Sequence, residues 1–125
     1  MPMNRFQPDD CHTVIPRIIT STPEELVRFI KALFRGEGEF QVNRPSEIKV
    51  GDSVIMVSDG GGVREPMAAF LYVYVENVDE TYGRAIELGA KTLEPPSDVS
   101  YGDRRATVKD TWGNLWQIAT HQRRT

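Results

Sequence analysis

Apolar side chains recur along this chain at two spacings, and the spacings alternate in the same order twice. Leu26, Phe29, Ile30, Leu33 and Phe34 stand three and four residues apart, which gathers them on one face of a helix. Ahead of them, Thr22-Pro23-Glu24-Glu25 supplies a cap, a proline suited to a first turn and a glutamate able to reach back as a capping box. Arg35 and Gly36 close the run, so the pattern predicts a helix over about 22–35. Residues 13–20 before it are mostly β-branched and include Pro16, which predicts a strand. Three short stretches after it, near 38–43, 46–50 and 53–58, predict strands, with Asn43-Arg44-Pro45 and Gly51-Asp52 as the turns between them.

Asp59-Gly60-Gly61-Gly62 interrupts this order, which then begins again. Phe70-Leu71-Tyr72-Val73-Tyr74-Val75 reads as a strand. Asn77 caps a second helix with Glu80 three residues on, Tyr82, Ala85, Ile86 and Leu88 line it, and Gly89 ends it. Strands follow near 91–95, 104–109 and 114–120. The repeat predicts an α+β fold: an N-terminal arm over 1–12, then a single domain over 13–125 built of two βαβββ modules, 13–59 and 68–121. Side by side, two such units make a curved, cupped sheet with helices outside, and the concavity is where a ligand is expected. The glycine-rich break lacks the lysine and following helix of a phosphate loop and reads as a hinge.

Composition narrows the functional classes. At 125 residues and 39% apolar content the chain has enough for one core. A net charge of −3 argues against nucleic acid as a partner, since no basic surface is available to displace phosphate counterions. Cys11 is the only cysteine, which excludes an internal disulfide, a zinc finger and a CxxC redox motif and suits a reducing compartment. No leader pattern opens the sequence and no apolar run approaches the ~20 residues that span a bilayer, so a cytoplasmic protein away from membranes is expected. No Gly-x-Ser-x-Gly elbow supports a Ser-His-Asp hydrolase.

Four segments in this frame, Val50–Asp59, Val73–Asp79, Tyr101-Gly102-Asp103-Arg104 and Asp110–His121, resemble the vicinal oxygen chelate superfamily of glyoxalases, bleomycin resistance proteins and dioxygenases, in its PhnB-like branch. The resemblance implies paired βαβββ modules, frequent dimers and, in the enzymes, a divalent metal held by one side chain from each of the first, fourth, fifth and eighth strands. Antibiotic-binding members use the same cup without a metal. Register from the motifs assigns those positions to Ile15, to Ile55 or Met56, to Phe70 and to Gln117. His12-Thr13, similar to the His-Thr that opens a glyoxalase first strand, offers another register that needs three extra residues before the helix. Apolar side chains and one amide cannot supply the imidazole and carboxylate donors such metals take, so no metal and no other cofactor is expected.

Without a metal, function falls to the side chains lining the cup. Alternation carries Phe70 to Tyr72 and Tyr74, Gln117 to Leu115 and Ala119, and Ile15 to Arg17 and Ile19. Arg17 either clamps a carboxylate, enolate or phosphate of a ligand, or runs to the rim or pairs with Asp103 or Glu76. The Tyr101-to-Arg104 segment is expected as a loop at the mouth of the cup, touching the ligand or bracing a turn through an Asp103–Arg104 pair. Arg17, Met56, Phe70, Tyr72, Tyr101, Arg104 and Gln117 are therefore the expected ligand-binding residues. His12 and His121 are expected at solvated strand ends, with no catalytic residue assigned. Three readings remain open: a metal-free homodimeric protein that binds a small aromatic or anionic molecule, a lyase, isomerase or dioxygenase of the same superfamily, and a dimer scaffold.

Overall fold

Pro16 has no amide hydrogen, and the first strand, β1 (Arg17–Ile19), begins only after it. The expected strand over 13–20 is thus three residues long, although the Pro16 carbonyl still accepts from the Met56 amide at 2.9 Å. A computed structural model of the chain describes residues 6–122. The chain forms two compact units that meet at Met67 and Ala68. It is an α+β fold in which hydrogen bonds gather the strands into one sheet of three and one of four. Positions 1–5 of the expected arm lie outside the described residues.

In the first unit, β1 pairs in parallel with β3 (Ser53–Ser58), and β3 pairs antiparallel with β2 (Ser46–Val50). Helix α1 (Pro23–Phe34) buries Leu26, Val27, Phe29, Ile30 and Leu33, and the sheet contributes Ile18, Ile48, Ile55 and Val57 to this core. Each such side chain contributes roughly 1.5–3 kcal/mol on burial. The helix ends at Arg35, whose φ of 54° and ψ of 43° are left-handed, one residue before the glycine expected to end it. Gly36 serves close approach instead, since a Cβ there would stand 3.0 Å from Ile48 Cγ2 and from the Lys49 carbonyl. The strand expected near 38–43 is absent. Only Glu37 bridges to Lys49, and the Gln41 amide donates to Ser46 Oγ at 2.8 Å rather than to a neighbouring strand.

In the second unit the strand order is β4 (Phe70–Tyr74), β7 (Leu115–His121), β6 (Asp103–Lys109), β5 (Lys91–Asp98). Helix α2 (Val78–Glu87) starts at Asn77, whose side chain accepts from the Glu80 amide at 3.1 Å as its motif predicts. Trp116, Ile118, Ala106 and Val108 are fully buried on the face of the sheet that meets α2. Strand β5 runs past the expected end at 95, through Pro95-Pro96. This is possible because it is the sheet edge and its register shifts at Thr92/Glu94 and Glu94/Ser97.

Asp110 fixes the last hairpin. Its carboxylate accepts from the Trp112 and Asn114 amides at 2.9 and 2.8 Å, from Asn114 Nδ2 at 2.9 Å and from Trp116 Nε1 at 2.8 Å. Asn114 Oδ1 in turn accepts from the Ala69 amide at 2.8 Å, just ahead of β4. The Asp110-to-Asn114 motif therefore aligns β7 and β4.

Candidate functional site

The register of the second sheet sets out its uncovered face in rows. Tyr72 stands opposite Gln117, Gln117 opposite Thr107, and Thr107 opposite Glu94. One step along, Tyr74 stands opposite Ala119, and Ala119 opposite Arg105. A third row pairs His121 with Asp103. Alternation keeps all of these on the face opposite Trp116 and Ile118.

Asp103 is the polar centre of this face. It is 1% exposed, and it accepts from Tyr72 Oη at 2.6 Å, from Tyr74 Oη at 2.8 Å and meets His121 Nδ1 at 2.8 Å. The Tyr72 hydroxyl, then His121, hold its carboxyl below the usual aspartate range, against the opposing effect of desolvation. In return, burial and then the bond to Asp103 push the Tyr72 hydroxyl well above the ordinary tyrosine value, and Asp103 raises Tyr74 likewise. Both phenols are firm donors at neutral pH. With Nδ1 engaged by Asp103, the half-exposed His121 ring presents Nε2 on the other side.

Around this centre stand aromatic rings. Tyr72 and Tyr74 meet edge to face, centroids 5.4 Å apart at 63°. Phe70 and Tyr101 are largely exposed. The Arg105 guanidinium lies 5.9 Å from the Tyr72 ring centroid and donates to Tyr101 Oη. Glu94 accepts from Thr107 Oγ1, which also receives Gln117 Nε2 at 3.4 Å. Rings flanked by a carboxylate, a guanidinium, an amide and an imidazole can stack a flat molecule and hydrogen-bond its substituents.

The sequence brings Phe70, Tyr72, Tyr101 and Gln117 to this unit, and all four line or border the uncovered face. Arg104 is on the other side: it binds Asp79 of α2 at 2.9 and 3.0 Å and Asp98 at 3.3 Å. The expected Asp103–Arg104 brace does not form, because β6 begins at Asp103 and neighbouring residues on a strand face opposite ways. Arg105, Asp103 and His121 belong to the site, and counting alternation from Asp103 instead of reading 101–104 as loop would have found the first two. Arg17 and Met56 lie in the first unit, paired across β1 and β3. Arg17 donates from Nε to Ser58 Oγ at 3.2 Å within the first unit, and the Asp103 carboxylate is taken up by Tyr72, Tyr74 and His121 of its own unit. Met56 shares its face, whereas Ile55 is buried on the α1 side.

A model of the Glyoxalase/Bleomycin resistance protein/Dioxygenase superfamily matches residues 18–118. The chain belongs to this superfamily. Among solved glyoxalase-like folds, TioX from Micromonospora sp. ML1 superposes with a TM-score of 0.74 at 22% identity, covering 88% of this chain and 98% of that one. A glyoxalase/bleomycin resistance protein/dioxygenase family enzyme from Burkholderia phytofirmans PsJN gives 0.72 at 17% identity, covering 86% and 96%. The fosfomycin resistance protein FosX from Listeria monocytogenes gives 0.66 at 17%, covering 89% and 93%. No curated protein matches the chain.

The metal-binding positions of this superfamily can be tested on the donors present. Ile15, Met56 and Phe70 offer hydrocarbon, a thioether and a ring, and the Gln117 amide nitrogen is turned to Thr107. His12 is exposed and precedes β1 by several residues, so it does not restore a ligand. Among the described residues no group of three or more His, Cys, Asp or Glu side chains could hold a metal ion. These side chains do not fit a divalent ion.

Proposed function

We propose that the chain is a small-molecule-binding protein of the glyoxalase and bleomycin resistance type, in the PhnB-like branch, which holds an aromatic ligand on the uncovered face of the second sheet without a metal. One observation carries this reading: an uncovered β-sheet face bearing exposed rings around a buried, triply engaged Asp103. Exposed aromatic surface costs solvation unless something covers it, and the polar groups among the rings favour a ligand with hydrogen-bonding or anionic substituents. The bleomycin resistance proteins in the family's description and the fosfomycin resistance neighbour support small antibiotics as one ligand class. The reading includes a homodimer as the binding form.

The test is a thermal-shift screen with 4-hydroxybenzoate, related aromatic acids and bleomycin. A ligand at one hundred times its dissociation constant adds about 2.7 kcal/mol, which raises Tm by about 10 °C for a chain of 125 residues. The shift should disappear in Tyr72→Ala at matched folding. No shift with any compound, or a shift indifferent to Tyr72 and Tyr74, rejects the reading.

A second reading, an enzyme, is supported by the Asp103–His121 pair, which orients an imidazole to accept a proton from a molecule on this face. Its signature is consumption of a bound ligand that His121→Gln abolishes while affinity is retained.

A further inference from the structure

A cavity of about 360 Å³ lies in the first unit, between the start of α1, the 40–45 segment, the end of β3 and the turn that follows it. Three arginines line it, Arg17, Arg44 and Arg64, against one acidic residue, Asp59. This concentration of positive charge occurs in a chain whose net charge is −3. Asp59 offsets only one of the three charges while its Oδ1 accepts from the Gly61 amide at 2.8 Å, so two positive charges remain in excess.

Each arginine arrives by a separate route. Arg17 comes from β1, and its Nε bond to Ser58 Oγ at 3.2 Å fixes the stem while leaving the terminal nitrogens for another acceptor. Arg44 comes from the 40–45 segment. Arg64 is carried by the glycine turn, where the Arg64 amide donates to the Gly60 carbonyl at 3.1 Å. Gly60 has a φ of 82°, and a Cβ there would stand 3.1 Å from Ile19 Cγ2, so this position favours glycine for both reasons. Among the described residues, neither Arg44 nor Arg64 has an ion pair or side-chain hydrogen bond to an acceptor. An anion placed among three like charges gains from all of them, and planar guanidinium donors match the oxygens of a phosphate or carboxylate in pairs.

We propose that this cavity is a binding site for a small dianionic compound, a phosphate ester or a dicarboxylate on a short organic skeleton. The proposal rests on residues of the first unit alone and does not depend on the reading of the aromatic face of the second. The volume falls within the usual range of small-molecule sites, about 300–1,000 Å³, and leaves room beyond the anion for a few carbon atoms.

Titration of the ¹⁵N-labelled chain with inorganic phosphate and, separately, with succinate at low ionic strength and mildly alkaline pH tests this by amide chemical shifts. The expected result is saturable one-site binding of at least one of the two, reported by Ser58, Gly60 and Gly61, and the two arms tell a phosphate site from a dicarboxylate site. Arg44→Gln and Arg64→Gln should each weaken it about tenfold. Arg28→Gln should leave it unchanged, since Arg28 lies outside the cavity on exposed α1 and is 3.8 Å from Glu24. The substituted residues are exposed, and an unchanged spectrum away from the cavity verifies that each variant is folded. Shifts that never saturate with either anion overturn the proposal, as does an equal weakening by Arg28→Gln, which would mark general charge screening.

Discussion

Replacing Asp110 by Asn tests whether the Asp110-to-Asn114 motif works through structure. The carboxylate of Asp110 accepts four hydrogen bonds, and the residue is 4% exposed. An asparagine can keep one oxygen for the Trp112 and Asn114 amides. Its NH2 group then faces Asn114 Nδ2 and Trp116 Nε1, two buried donors that lose their acceptor. Each such loss costs about 1–3 kcal/mol, so the substitution should remove roughly 2–6 kcal/mol. That is a large part of the ~5–15 kcal/mol typical of a domain. Urea denaturation followed by tryptophan fluorescence and far-UV circular dichroism measures the loss, and the Trp116 indole resonance should move. Ligand affinity of the remaining folded fraction should persist, because Asp110 is not on the aromatic face. A loss below about 0.5 kcal/mol with an unmoved indole resonance would refute the reasoning.

Other substitutions separate the two faces of the second sheet and probe its polar centre. Arg105→Gln should weaken aromatic ligand binding severalfold, whereas Arg104→Gln, which breaks the contacts to Asp79 and Asp98, should leave affinity unchanged in the same titration. Because Asp103 has its carboxyl pKa lowered in the folded chain, the stability it provides is complete above the ordinary value of 3.8 and is lost as pH falls below it. Thermal melts should therefore show an acid limb below pH 3.8 that Asp103→Asn flattens. Tyr72 is shifted the other way, so its contribution is present below the ordinary value of 10.0 and declines at more alkaline pH. Tyrosinate absorbance of the folded chain should lag behind that of the unfolded chain there, and Tyr72→Phe should shorten the lag.

Regular elements were legible where periodicity and caps agreed. The spacing of Leu26, Phe29, Ile30 and Leu33 and the Asn77 cap are local properties, and both helices form where they indicate. Failures came where one residue changes the outcome. Pro16 shortens β1, and the 38–43 stretch leaves the edge of β2 after the Glu37–Lys49 bridge because the Gln41 amide turns to Ser46 Oγ. Read as loop, the 101–104 segment places Arg104 at the mouth of the cup, whereas a strand starting at Asp103 turns it to Asp79 of α2 and brings Arg105 to the face of Asp103. The features with most chemistry join distant positions. Asp103 meets His121 across antiparallel strands, and Arg17, Arg44 and Arg64 meet around one cavity. No periodicity within a segment encodes such meetings, which arise from strand register and loop course.

The proposed function requires that ligand binding proceed without a divalent ion. Elemental analysis of chain purified without chelator, paired with titration of one aromatic ligand before and after EDTA treatment, tests it most directly. Far less than one Ni, Zn, Mn or Fe per chain and the same Kd in both titrations are expected. One tightly held ion per chain, whose removal abolishes binding and whose return restores it, would overturn the metal-free reading.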